Sequence, residues 1–161
     1  MNRSLPDIPT PTSNTVLEPV TQETMYEIPE ASAHFGRFAV TRISLNLDAL
    51  AQFDTPEVLQ AVTLLSHARC QVIGWSGTSS SWLGFDADRC LCATIEASTG
   101  ARACTSVLAL NDILERTGAR TLGLITPYTA DVQDCIINNY RKADIDTRKL
   151  QSWGRLFKEV Q

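Results

Sequence analysis

Apolar residues along this chain recur at two periods, and the two take turns. After Thr55-Pro56-Glu57, the residues Val58, Val62, Leu65 and Ala68 return at helical spacing, which predicts a helix over 55–69. Proline suits its first position, where a missing N–H costs nothing. Gln71 to Trp75 is a short apolar run between turn signals and reads as a buried parallel strand. The alternation then repeats. A helix over 86–99 stops at Gly100, a strand follows over 101–104, and a helix over 106–117 stops at Gly118. Thr121 to Ile125 is the next strand, and Thr129 opens a helix with Asp131 and Asp134 in its early turns. Nearer the start, FAVTRISL over 38–45 is rich in β-branched residues and predicts a strand. Asn14 or Thr15 can cap a short helix through Met25 that carries Glu18 in its first turn. Residues 1–12 contain Pro6, Pro9 and Pro11; proline blocks a central strand, so they read as an extended lead-in. At the other end, Leu150, Trp153, Leu156, Phe157 and Val160 predict an amphipathic helix within 148–161.

Strands alternating with helices in this order predict an α/β fold, a parallel sheet flanked by helices with right-handed crossovers. Ligands in such sheets sit beyond the carboxyl ends of the strands. Three segments fall there: Thr12–Thr15, Gly77–Ser81 and Thr126–Thr129. The last two are expected on one edge of the sheet.

Composition narrows the classes. The 161 residues are 43% hydrophobic and 20% charged, a globular balance. No apolar run approaches the ~18 residues of a membrane span, and the N-terminus shows no secretory signal. A net charge of −4 without a basic patch argues against a nucleic-acid partner. Five cysteines are an odd number for a disulfide framework, and a reducing, cytoplasmic setting is expected.

The candidate chemistry lies in the three loops. Gly77-Thr78-Ser79-Ser80 offers hydroxyls and backbone N–H groups where glycine lets a ligand approach, suiting a carboxylate; an ordinary polar loop is the alternative. Tyr128 lies beside a helix N-terminus and could donate to a second carboxylate oxygen, or serve only as a half-buried structural residue. Asn14 could orient a ligand, though capping its own helix is the simpler role. Nucleotide motifs are absent. His34 and His67 are isolated, and Cys90-x-Cys92 on a helix diverges, so no metal is expected. Cys104-Thr105-Ser106 joins a strand to a helix, a place that could lower a thiol pKa, but a buried structural role is the default.

Four of these segments together resemble one family. Pro11-Thr12-Ser13-Asn14-Thr15-Val16-Leu17-Glu18 is similar to the P-S-S-N-T-x-x-E motif of maleate isomerase-like proteins, and His34-Phe35-Gly36-Arg37 to a short segment that follows it. Val72 to Ser80 resembles their first active-site strand and loop, and Leu124 to Thr129 the loop bearing their substrate-binding tyrosine. The resemblance, over residues 10–147, is to the maleate isomerase and arylmalonate decarboxylase branch of the aspartate/glutamate racemase superfamily.

It implies two pseudo-symmetric α/β halves around a small carboxylic or dicarboxylic acid, with homo-oligomer formation left open. It also implies cofactor-free chemistry at the carbon next to a carboxylate. Thr78, Ser79 and Tyr128 would bind carboxylate oxygens, with Asn14 orienting the substrate. Gly77 stands where isomerases and racemases carry a cysteine and decarboxylase-like members carry glycine, which favours decarboxylase-like chemistry. The family's second cysteine, beyond the tyrosine loop, has no counterpart here. The expected layout is a lead-in over 1–12, a first half over 13–118, the start of a second half over 119–147 and an atypical tail. The chain reads as a shortened family member lacking the usual first strand, inactive by itself, with a non-catalytic carboxylate-binding or interaction module as the alternative.

Overall fold

The computed structural model describes residues 6–39 and 55–152. It is an α/β structure of six strands and six helices among those residues. In chain order they are β1 (Pro6–Pro11), α1 (Leu17–Met25), β2 (His34–Phe38), α2 (Thr55–Ser66), β3 (Val72–Trp75), α3 (Ser80–Leu83), α4 (Phe85–Thr99), β4 (Arg102–Thr105), α5 (Ser106–Thr117), β5 (Thr121–Thr126), α6 (Ala130–Lys142) and β6 (Asp146–Ser152). They fall into two compact units, Met1–Gly77 with Arg89–Ser106, and Thr78–Asp88 with Val107–Gln161.

That division departs from a break at residue 118, for reasons visible in the second unit. Asn139 of α6 donates to the carbonyls of Ser81 (3.0 Å) and Trp82 (3.1 Å). The Phe85 ring meets Tyr140 edge-on at 5.1 Å. The Thr78–Asp88 segment is thereby tied to α6.

The first unit holds a parallel sheet in the order β2-β1-β3-β4. The proline-rich lead-in is therefore a strand, and an interior one. Its register explains how. Along a strand, successive residues turn their N–H groups to opposite sides. The Thr12 N–H donates to the Phe38 carbonyl of the β2 side at 2.8 Å, so residues of even number face β2. Pro9 and Pro11 face the β3 side, where pairing covers only Pro6–Val72 and Asp7–Ile73. Pro6 is the first residue of its strand, where a missing donor is tolerated.

β2 starts earlier than the predicted strand over 38–45, of which 40–45 lie outside the described residues. It was masked in the sequence by Gly36 and Arg37, both committed to contacts. A Cβ at Gly36 would come within 2.9 Å of the Leu65 side chain, so glycine lets α2 close on the sheet. Val58, Val62 and Leu65 of α2 are buried as predicted, while Ala68 lies past the helix end and is exposed. With Phe38, Ile73, Trp75 and Ile95 they build the core of this unit. The Phe38 and Trp75 rings meet at a 45° tilt with centroids 5.5 Å apart.

Asp7 is fully buried, and neither carboxylate oxygen finds an N–H or O–H donor among the described residues. What faces it is the Cys70 thiol, a weak donor. Desolvation raises the Asp7 pKa above its ordinary 3.8; Cys70 and then the charge of His34 oppose this by smaller amounts. Burial, reinforced by Asp7, pushes the Cys70 thiol up to about 11. A carboxyl that binds its proton more tightly when folded contributes most below its unfolded pKa. That contribution is lost as pH rises from 3.8 through the folded value. Asp7→Asn is expected to raise stability at pH 7 and to flatten this decline, as read by urea denaturation from pH 3.5 to 8. An unchanged or steeper decline would show that Asp7 is not its source.

In the second unit, β5 pairs in parallel with β6, with a register irregularity between Leu124 and Ile125. Residues 148–152, expected to open a helical tail, belong to β6; the rest of that prediction lies outside the described residues. The polar run Asp146-Thr147-Arg148-Lys149 hid the strand, because only Thr147 among them is buried. The one-turn helix α3 was also not anticipated from its serines.

Candidate functional site

In the first unit the site is set by strand order. β1 lies between β2 and β3, so the direction of winding reverses between β1 and β3. Their carboxyl ends lead into Thr12–Asn14 and into Ser76–Gly77, the position where open α/β sheets receive ligands. Asn14 and Gly77 thus leave the same edge of one sheet.

Asn14 is engaged by its own helix. Its Oδ1 accepts the N–H groups of Val16 (3.0 Å) and Leu17 (2.9 Å), and its N–H donates to the Pro11 carbonyl at 2.9 Å. This is the capping role, which satisfies donors left orphaned at the start of α1. Arg37 fastens the same loop. Its guanidinium donates to the carbonyls of Thr12 (3.1 Å) and Asn14 (3.3 Å) and pairs with Glu18 at 2.8 Å. The sequence placed Glu18 in the first turn of its helix and Arg37 in a motif; their link is spatial, across β1 and β2.

Gly77 is confined on two sides. The Ser106 hydroxyl donates to its carbonyl at 2.8 Å. A Cβ built on Gly77 would lie 2.2–2.6 Å from Cζ2, Cε2 and Nε1 of the Trp75 indole. Trp75 is 3% exposed and cannot simply swing away. Position 77 is therefore reserved for glycine by the ring two residues before it. The sequence marked Ser106 only as part of the Cys104-Thr105-Ser106 junction; its bond to Gly77 comes from the fold.

In the second unit, Thr78 and Tyr128 share a hydrogen bond between their hydroxyls at 2.5 Å, although fifty positions separate them. Thr78 is exposed, Tyr128 half-buried and Ser79 buried. The Tyr128 ring rests edge-on against Trp82, with centroids 5.0 Å apart. The Thr78–Gly84 turn closes on itself through Ser81 N–H to Thr78 O (3.1 Å), Trp82 N–H to Ser79 O (3.1 Å) and Gly84 N–H to Ser80 O (2.9 Å). The N–H groups of Thr78, Ser79 and Ser80 precede the first of these bonds. The three predicted carboxylate-binding side chains are thus gathered on two adjoining loops.

Downstream of Tyr128, Thr129 begins α6 without capping it through its side chain. Its hydroxyl instead bonds Asp131, and this bond, with the Val132 N–H, holds the Asp131 carboxyl below its ordinary range. The other candidates recede. Desolvation pushes the Cys104 thiol up against the opposing charge of Arg102. Among the described residues no group of His, Cys, Asp or Glu is arranged to hold a metal ion, and no helix is long and apolar enough to cross a membrane.

No family sequence model and no curated protein matches the chain. Solved structures do match. An alanine variant of the maleate isomerase Iso from Pseudomonas putida S16, solved with maleate, superposes with a TM-score of 0.76 at 20% identity, covering 91% of this chain and 62% of that one. The Nocardia farcinica maleate cis-trans isomerase bound to TRIS gives 0.73 at 20% identity, with coverages of 92% and 63%. Unliganded arylmalonate decarboxylase gives 0.69 at 20% identity, with 94% and 61%. The chain spans about three-fifths of the structures it matches. Its fold is that of the maleate isomerases and arylmalonate decarboxylase.

Proposed function

We propose that this chain carries the carboxylate grip of a cofactor-independent enzyme acting at the carbon next to a carboxylate, with decarboxylase-like chemistry. The observation that carries the reading is the meeting of Thr78 and Tyr128, whose hydroxyls bond across fifty positions beside buried Ser79. The shared fold with an isomerase solved with maleate supports the substrate class.

In this reading the acid turned over is malonate-like, with both carboxyl groups on one carbon, and one of them is held by the Thr78, Ser79 and Tyr128 hydroxyls. Loss of the other as carbon dioxide leaves its bonding electron pair on the held group as an enediolate. Fixed donors stabilise that charge as it develops. A proton must then be delivered to carbon by an acid outside position 77, because glycine has none to give. Two-thiol isomerisation or racemisation is disfavoured for the same reason, since the Trp75 indole fills the space a thiol there would need.

The same observation favours a second reading, a carboxylate-binding module without turnover. Product analysis by NMR with a panel of arylmalonates, maleate and aspartate separates the two. Binding itself is tested by titrating maleate and phenylmalonate into labelled protein. Shifts are expected at Thr78, Ser79 and Tyr128. A hydrogen bond to a charged group is worth about 1.5–3 kcal/mol, so Tyr128→Phe should weaken binding roughly ten-fold or more. Equal affinity in a folded Tyr128→Phe protein would remove the phenol from the site.

A further inference from the structure

Helix α6 carries two carboxamides that reach the two loops of the proposed site separately. Gln133 is fully buried, and its Nε2 donates to the Thr126 carbonyl (3.3 Å) and to the Thr126 hydroxyl (3.0 Å). Thr126 ends β5 two residues before Tyr128. Asn139, on the same helix, donates from its Nδ2 to the Ser81 and Trp82 carbonyls, at 3.0 and 3.1 Å. These carbonyls belong to the turn that begins with Thr78 and Ser79, and Trp82 is the ring on which Tyr128 rests.

The pattern goes beyond ordinary packing. A helix facing a sheet buries apolar residues, and α6 does so with Val132, Ile136 and Tyr140. Burying a glutamine among them costs free energy unless its amide is used, and here even its Oε1 is left without a partner among the described residues. Such a residue is retained in a core at a cost. What it does there is fix the end of β5 by two bonds, while Asn139 fixes two successive carbonyls of the facing turn. Both loops are thereby tied to one helix.

We propose that Gln133 and Asn139 are positioning residues for carboxylate binding, acting through the placement of Tyr128 and of the Thr78–Ser79 turn. This rests on the carboxylate reading above for its ligand, but not for its geometry.

The test uses Gln133→Met and Asn139→Leu, near-isosteric changes that remove the bonds and keep the volume, in the full chain with labelled tyrosine. The chain has three tyrosines, Tyr26, Tyr128 and Tyr140, so the Tyr128 ring signals can be assigned by substitution. Each variant is expected to shift or broaden the Tyr128 signals while those of Tyr26 stay in place. Each should also weaken maleate binding about ten-fold. Adding Tyr128→Phe to either variant should then cost at most about two-fold more, because both changes disable the same donor. Gln133→Glu should recover part of the lost affinity, relative to the parent at each pH, where its carboxyl is protonated and can donate. Unmoved Tyr128 signals in a folded variant would overturn the proposal. So would losses that simply multiply with that of Tyr128→Phe, the behaviour of a merely structural residue. If the parent chain does not bind maleate, the carboxylate reading falls. The Tyr128 signals alone then decide whether α6 sets the loops.

Discussion

Replacing Gly77 by cysteine is expected to destabilise the protein by about 3 kcal/mol, at the upper end of the range for overpacking a filled site. The new Cβ would stand 2.2–2.6 Å from three atoms of the Trp75 indole, closer than any van der Waals contact allows. The ring has little room to yield, being 3% exposed and packed against Phe38. The conflict is local to one pair of side chains, so it should be relieved from the other side. In a Trp75→Phe background the smaller ring withdraws from that space. The additional cost of Gly77→Cys should there fall by at least about 1 kcal/mol, which a double-mutant cycle in urea would detect. Strict additivity would mean that the indole does not police position 77. A thiol at position 77 is therefore expected to be tolerated best when ring and glycine change together.

Ile73→Ala is expected to cost about 4 kcal/mol, because it empties the centre of the first unit's core. Ile73 is 0% exposed on β3, with β1 on one side and β4 on the other. A deleted buried side chain forfeits its transfer energy and leaves a cavity, about 2–5 kcal/mol together. A strand held by neighbours on both sides collapses poorly into that space. Ile125→Ala is the control, since Ile125 is 54% exposed and should change stability by less than about 0.5 kcal/mol. Comparable losses at both positions would contradict the placement of the core.

Both isoleucines look alike in the sequence, and that marks the limit of reading from pattern. Every helix over 55–142 except one was anticipated, α2 and α5 from apolar spacing, α4 from its glycine stop and α6 from Thr129 and the acidic residues after it. The exception, α3, is a single turn made mostly of serines, and its stability comes from the closing bonds of its own turn. Strands with low β-propensity were harder. His34–Phe38 carries Gly36 and Arg37, placed there for the approach of α2 and for the Asn14 loop. In Asp146–Ser152 the polar residues Asp146, Arg148 and Lys149 are exposed.

The candidate site was legible where a loop announces itself at a strand end, as with Thr78, Ser79 and Tyr128. It was not legible where a residue acts across space. Arg37 on Asn14, Ser106 on Gly77 and the two carboxamides of α6 sit in ordinary contexts, and only folding gives them their partners. Asn14 was open to two roles in the sequence, and of these the structure displays the capping one, through its side-chain Oδ1.

The prolines of β1 have a consequence for the shape of the sheet itself. Two parallel strands normally zip together for as long as donors meet acceptors, and parting them strands those groups. Beyond Asp7, the next residue of β1 able to meet β3 is Pro9 and the one after it is Pro11, neither of which has an N–H to offer. The zipper therefore runs out after Asp7–Ile73 because the chain supplies no further teeth. The two strands can separate toward their carboxyl ends without leaving a β1 donor stranded. The end of β1–β3 pairing, short of where Asn14 and Gly77 depart, is thus written into the backbone chemistry of β1. Exchanging Pro9 for a residue with an N–H would hand β3 the means to extend that pairing.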